Sequence, residues 1–349
     1  MSPSTLAIIG VRQLAYATAR AHRVPRFLGT SSFAAAAVCR LLRMRKFILL
    51  SFAVALPLAP SAQAQGWQPS PGLVQVPIWP GAVPDAIPNP KPESVGPPAG
   101  REWWPRANDV SQPTMTVYPP KGRNTQAAVV VFPGGGFQFL AMDLEGTEIC
   151  DWLTSRGITC VLLKYRGPKS DPYWDEECRC QIIPKVPRAL QDAQRTIKLV
   201  RARAKELNLD PKKIGVIGFS AGGYLVAQTS NVFKPTYKPV DGFDTLSSRP
   251  DFAIALYPGH LCRSGGTLDP SIHLTKQTPP TFLLQAWDDP VDDICNSTVY
   301  ARALSQAGVS AEVHLFAKGG HAFGLRNKEH PVSSWPSLVE NWLKEIGIL

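Results

Sequence analysis

"GVIGFSAGGYLVAQ", residues 215–228, decides how this chain is to be read. It opens as a near-continuous apolar run, the pattern of a strand buried on both faces. It leaves as a helix-like pattern. At the join stands Ser220, inside Gly218-Phe219-Ser220-Ala221-Gly222, which fits G-x-S-x-G. A serine at a sharp strand-to-helix turn needs small flanking residues, because the backbone is strained and other chain passes close by. Such a turn exposes Oγ, and the helix N-terminus and the next N–H face developing negative charge. The pentapeptide alone is a weak signal. A strand before it and a helix after it make it a strong one.

The same alternation extends in both directions. Upstream, "TMTVYPP" (114–120), "AAVVVFPGGG" (127–136) and "TCVLLKYR" (159–166) read as strands. Leu144, Ile149, Trp152 and Leu153 recur at helical spacing up to Gly157, and "ALQDAQRTIKLVRARAKEL" (189–207) is an amphipathic helix. Residues 167–187 and 230–249 read as loops. Downstream, "DFAIALYPG", "TFLLQAW" and "AEVHLFA" are three further strands, with helices over about 297–307 and 334–343. Apolar strands alternating with helices predict an α/β fold, a mostly parallel central sheet covered by helices on both faces. In such sheets the ligand site lies beyond the carboxyl ends of the strands.

A serine hydroxyl is a poor nucleophile without a base. Of the six histidines, His321 is the candidate: it sits in "AKGGHAFG", a glycine-rich loop after the last core strand. His22 lies near the N-terminus, His260 and His273 follow an earlier strand, His314 is within a strand and His330 precedes a proline. The acid that would hold the imidazole is expected after "TFLLQAW", among Asp288, Asp289, Asp292 and Asp293. The tight turn of Asp289-Pro290-Val291 favours Asp289, with Asp288 one residue away as the alternative. "FPGGGF" (132–137) follows another strand, and its glycines let backbone N–H groups converge on a substrate oxygen. Gly135 and Gly136, with Ala221, are the candidate donors. Phe137 and Trp287 are candidate substrate contacts. Tyr173, Trp174, Tyr257 and Trp287 form either a stacking platform or ordinary packing.

The formal net charge of +10 suggests a polyanionic partner until it is located. Residues 1–64 hold eight Arg or Lys and no Asp or Glu, leaving 29 basic against 27 acidic residues in the rest. Nucleic-acid binding has no support there. "MRKFILLSFAVALPLAPSAQAQ", from Met44, reads as a signal peptide: a basic start, a short apolar run and Ala62-Gln63-Ala64 before Gln65. The apolar run is too short to span a bilayer, so no stable membrane insertion is expected after cleavage. The expected organisation is an N-terminal extension over 1–43 (with Met44 the expected true start), a signal peptide over 44–64, a Pro-rich, surface-hugging arm over 65–112, and a catalytic domain over 113–349. The protein is then secreted or periplasmic. Beyond Cys39 there are six cysteines, which allow fifteen pairings. Cys150 and Cys160 lie in apolar runs and read as unpaired core residues. Cys178-Arg-Cys180 has no second ligand pair at metal-binding spacing.

Taken together, "PGGGFQFLAMDLEG", "CVLLKYRGP", "ALQDAQRTIKLVR", "GVIGFSAGGYL", "DDPV" and "GGHAFG" resemble the α/β-hydrolase superfamily, from about Pro120 to the C-terminus. More narrowly the chain resembles secreted bacterial esterases of the hormone-sensitive-lipase-like and feruloyl/acetylxylan esterase groups, and "VPIWPGAVP" resembles their lead-in. The resemblance implies Ser220 as nucleophile, His321 as base and Asp289 as acid, with no metal or organic cofactor and no large lid domain. Pro133 stands where an HGGG motif has its histidine, a departure that points toward the carbohydrate-esterase branch. The activity implied is hydrolysis of an acetyl or feruloyl ester of plant polysaccharide. The alternatives are a general short-chain carboxylesterase, a serine peptidase of the same fold, for which a preceding propeller domain is missing, and a binding module, which the complete residue set disfavours. The oligomeric state is not legible.

Overall fold

The computed structural model describes residues 66–96, 105–167 and 188–349, and the backbone of two short paired strands, Tyr173–Asp175 and Cys180–Ile182. The expectations for residues 1–65, and for the Cys178 and Cys180 side chains, lie outside the described residues. The main sheet has eight strands: β1 (Gln75–Pro77), β2 (Thr114–Tyr118), β3 (Ala128–Phe132), β4 (Thr159–Lys164), β5 (Ile214–Phe219), β6 (Ala253–Leu256), β7 (Thr281–Ala286) and β8 (Ala311–Phe316). Their order is β1-β2-β4-β3-β5-β6-β7-β8. β2 runs antiparallel to β1 and to β4, and every other neighbouring pair is parallel. The helices are α1 (Glu148–Ser155), α2 (Arg188–Ala202), α3 (Ala221–Asn231), α4 (Cys295–Gln306) and α5 (Trp335–Glu345). This is an α/β-hydrolase fold.

Hydrophobic pattern explains the placement. Every residue of β3, β4, β5, β6 and β7 is buried, which is why these segments read as unbroken apolar runs. β8 is the outer strand, and its burial alternates. The parallel register sets Gly218 beside Phe132 of β3 and Ala255 of β6. The ends of β3, β5, β6, β7 and β8 therefore open onto one edge. The helix read from Leu144 begins instead with a π-helical turn, Asp143–Thr147, leading into α1. Such turns frequently accompany functional sites, and this one carries Glu145.

Over its described residues the Pro-rich arm does not merely hug the surface: it is built into the core. Trp67, Ile78 and Trp79 are buried, and β1 adds an edge to the sheet. Ser94–Gly96 and Arg106–Asn108 form a small antiparallel sheet with Phe139–Ala141, directly behind the glycine loop. The lock is Asp192 of α2, fully buried. It accepts from Trp79 Nε1 at 2.8 Å and pairs with Arg166 Nη2 at 2.8 Å and Nε at 2.9 Å. Arg166 also donates to Pro84 O, and Arg195 to Ile78 O.

Two cysteine pairs are present among the described residues. Cys150–Cys160 joins α1 to β4, so these two are not the unpaired thiols expected from their apolar surroundings. Apolar neighbours suit a buried disulfide as well as a thiol, and sequence pattern does not separate the two. Cys262–Cys295 ties the segment after β6 to the first residue of α4.

Removing one member of a buried ion pair strands the other charge, at about 3–5 kcal/mol. Asp192→Ala is expected to lose that much stability in urea unfolding, and to open the arm to limited proteolysis within residues 66–96 before global unfolding.

Candidate active site

Ser220 sits at the join of β5 and α3 with φ 53° and ψ −119°, a conformation that L-residues rarely adopt. The packing around it over-determines that strain. Ser220 N donates to Leu256 O at 3.1 Å, and Gly259 N donates to Ser220 O at 3.1 Å. A Cβ on Gly218 would lie 2.1 Å from Gly222 O, and one on Gly222 would lie 2.0 Å from Phe132 O. Both glycines of the motif are thus required by backbone contact.

Ser220 Oγ is 3.0 Å from His321 Nε2, and His321 Nδ1 is 2.8 Å from Asp289 Oδ2. The Asp289 side chain is fully buried. Its other oxygen accepts from Val291 N at 2.9 Å and Asp292 N at 3.0 Å. One oxygen orients the imidazole while the other folds the turn. Asp288, the alternative, does different work: its Oδ1 accepts from Gly319 N (2.9 Å) and Gly320 N (2.8 Å), supporting the loop that carries His321.

The glycine loop lies against the serine. A Cβ on Gly134 would come 3.0 Å from Ser220 Cβ. Gly134 N is committed to Glu145 Oε2 at 2.7 Å, so the next N–H groups along the loop are those of Gly135 and Gly136. Ala221 opens α3, where the first N–H groups have no carbonyl partner inside the helix. Phe137 is buried and forms a wall, packed against Tyr165, Tyr224 and His260. It also lines a cavity of about 250 Å³ bounded by arm residues Ile87, Lys91, Asp109 and Ser111. Trp287, 60% exposed, lies on the surface at the end of β7. Tyr257 is fully buried, so it belongs to the packing and not to a stacking platform. The side chains of Tyr173 and Trp174 lie outside the described residues.

Three further groups meet here that the sequence reading did not assign. Glu145 is buried beneath the glycine loop, and its Oε1 accepts from Tyr257 OH at 2.9 Å. The Tyr257 ring stands edge-on to His321, 5.0 Å between centroids. Asp292, read only as a possible acid for the histidine, instead accepts from Ser220 Oγ at 3.2 Å and lies 3.7 Å from His321 Nε2. His260 joins this group through Phe137 and through its charge interaction with Asp292. An acid following Pro290 by two residues was a visible signal for Asp292. Nothing local marked Glu145.

The electrostatics are those of a buried basic histidine among acids. Burial opposes the imidazolium, but the Asp289 hydrogen bond and the charges of Asp292, Asp289 and Glu145 outweigh it and raise the His321 pKa above the usual 6.5. Burial likewise raises the carboxyl pKa of Glu145 and of Asp292, each partly offset by His321. Glu145→Ala removes the acceptor of a buried N–H and of a buried O–H, about 1–3 kcal/mol each. It is expected to lower the thermal midpoint and to move the His321 titration, followed by NMR, to lower pH.

The profile of the prolyl oligopeptidase family matches residues 147–347. An acetylxylan esterase of Xylanibacter ruminicola is 29% identical over 251 residues, 65% of this chain, which spans 46% of that longer protein. Among solved structures, an acetyl ester-xyloside bifunctional hydrolase from Caldicellulosiruptor lactoaceticus superposes with a TM-score of 0.61 at 31% identity, over 79% of this chain and 97% of that one. A thermophilic esterase of Thermogutta terrifontis gives 0.57 at 25% identity, over 68% of this chain and 89% of its own. With the sheet order, the strained Ser220 turn and a family match across more than half of its length, this chain belongs to the prolyl oligopeptidase family of α/β-hydrolases.

Proposed function

We propose that the protein is a serine carboxylic-ester hydrolase that acts through an acyl-enzyme on acetyl or feruloyl esters of plant polysaccharide or oligosaccharide. The observation that carries this reading is the hydrogen-bonded chain from Ser220 through His321 to Asp289, 3.0 and 2.8 Å. Ser220 Oγ attacks the ester carbonyl and its proton passes to His321 Nε2, with Asp289 holding the tautomer. The N–H groups of Gly135, Gly136 and Ala221 face the oxyanion. His321 then returns the proton to the leaving alkoxide, releasing the alcohol. Water, deprotonated by His321, adds to the acyl-enzyme, and His321 gives that proton to Ser220 Oγ as the acid leaves. The polysaccharide assignment is supported by the acetylxylan esterase and the acetyl ester-xyloside hydrolase to which the chain is similar. Phe137 and Trp287 are the proposed substrate contacts, the first as a wall and the second as an exposed surface for a sugar ring.

The protein acts, in this reading, after export. Two disulfides among the described residues suit an oxidising compartment. No helix among the described residues is long and apolar enough to cross a membrane. Intact-mass analysis of exported protein is expected to find Gln65 at the N-terminus, and a chain retaining residues before Met44 would reject this processing.

The direct test is acetate release from acetylated xylan by residues 65–349, beside p-nitrophenyl acetate and an N-acyl amino-acid p-nitroanilide. Wild type is expected to cleave both esters and to leave the amide far behind, and Ser220→Ala to lose activity by about 10⁴-fold or more. Amide cleavage at rates matching the esters would favour a peptidase instead. Since only neutral His321 accepts the serine proton, kcat/KM should fall as pH drops through a value above 6.5, the direction set by its acidic neighbours.

A further inference from the structure

Asp292 puts a carboxylate where the acyl-transfer steps above do not use one. Its backbone place is set without its side chain: Asp292 N donates to Asp289 at 3.0 Å, and Asp292 O accepts from Gln285 Nε2 at 2.6 Å. The carboxylate turns inward, 3.2 Å from Ser220 Oγ and 3.7 Å from His321 Nε2. Gly259 packs so closely that a Cβ there would lie 2.6 Å from Asp292 Oδ1. The side chain still keeps 16% of its surface exposed.

Its position relative to His321 decides what it meets. The leaving alcohol takes its proton from Nε2, so the ester oxygen must come within hydrogen-bond reach of that nitrogen. A carboxylate 3.7 Å from Nε2 therefore flanks the leaving alcohol. In the resting state Ser220 Oγ lies within hydrogen-bond distance of both His321 Nε2 and Asp292 Oδ2, so its one proton is shared between two acceptors. Once Ser220 Oγ has added to the ester carbonyl, its proton is on His321 and Asp292 has lost that donor while the alcohol is still attached. A plain alkyl group would leave it with the charges of His321 and His260 but without that hydrogen-bond donor, which is costly in a buried place. A hydroxyl on the carbon next to the esterified one supplies the missing donor within the same space.

We propose that Asp292 is a specificity-determining residue that accepts a hydrogen bond from a free hydroxyl vicinal to the ester in the leaving alcohol. The site then favours monoesters of vicinal diols, such as partly acylated sugars, over esters of simple alcohols. This rests on the esterase reading above and adds the group that reads the alcohol side.

The test compares kcat/KM for ethylene glycol monoacetate and propyl acetate, in which a methyl replaces the hydroxyl, for wild type, Asp292→Ala and Asp292→Asn. The ratio of the two substrates is internal to each preparation, so partial misfolding cancels, and intrinsic ester reactivity cancels between proteins. Losing a hydrogen bond to a charged acceptor is worth about tenfold or more. The glycol-to-propyl ratio is therefore expected to fall about tenfold in Asp292→Ala and by an intermediate factor in Asp292→Asn, which keeps a neutral acceptor. A ratio within twofold of wild type in both variants overturns the proposal and leaves Asp292 as a structural partner of Ser220. Wild type that cleaves p-nitrophenyl acetate but neither alkyl ester also overturns it, with the esterase reading intact. Folded wild type inert toward p-nitrophenyl acetate overturns the esterase reading itself.

Discussion

The strained turn at Ser220 is the constraint on which the rest of the site depends. A positive φ at a non-glycine residue is unfavourable by about 1–3 kcal/mol and persists only where its surroundings hold it. Here β5 pairs with β3 and β6 on its two sides, and the Leu256 carbonyl and the Gly259 N–H fix Ser220 from the β6 side. Gly218 and Gly222 let α3 close onto the ends of β5 and β3 with no room for a methyl group. The result exposes one hydroxyl at the edge where five strand ends open, and every neighbouring loop is then arranged around it.

Around that hydroxyl, single side chains serve two elements at once. Asp289 orients the imidazole with one oxygen and folds the Pro290–Asp292 turn with the other. Glu145 holds Gly134 of the glycine loop and Tyr257 at the end of β6, whose ring in turn packs on His321. Asp192 joins α2 to the end of β4 and to the arm, and the arm's small sheet backs the glycine loop. The geometry of the serine, the imidazole and the loop is therefore a property of the whole strand-end edge.

Much of the architecture was legible from local pattern. Unbroken apolar runs identified the buried parallel strands, because a strand covered on both faces has no polar side to show. The amphipathic stretch 189–207 identified a helix, which the structure closes at Ala202 and, against the pattern of its polar side, buries from Ala189 to Val200. The glycines around Ser220 and in residues 134–136 were legible because close backbone approach and positive φ leave few other choices. Chain order and strand-end position singled out His321 and Asp289. The exception in the fold was the arm. Proline-rich composition says nothing of what the arm's tryptophans meet.

What the sequence by itself determined is the alternation of buried strands and helices, the turn at Ser220 and the loops that could supply its partners, since each is encoded within a few residues. What only the tertiary structure decided is which distant groups meet. Trp79 and Asp192 are 113 residues apart, Glu145 and Tyr257 112, and Ser220 and Asp292 72. The pairing of Cys150 with Cys160 and of Cys262 with Cys295 was settled in the same way. Local periodicity reports the face a residue presents, while a buried charge or thiol is matched to its partner only when strands and helices have stacked. A carboxylate beside the serine is invisible until the turn that carries it has closed.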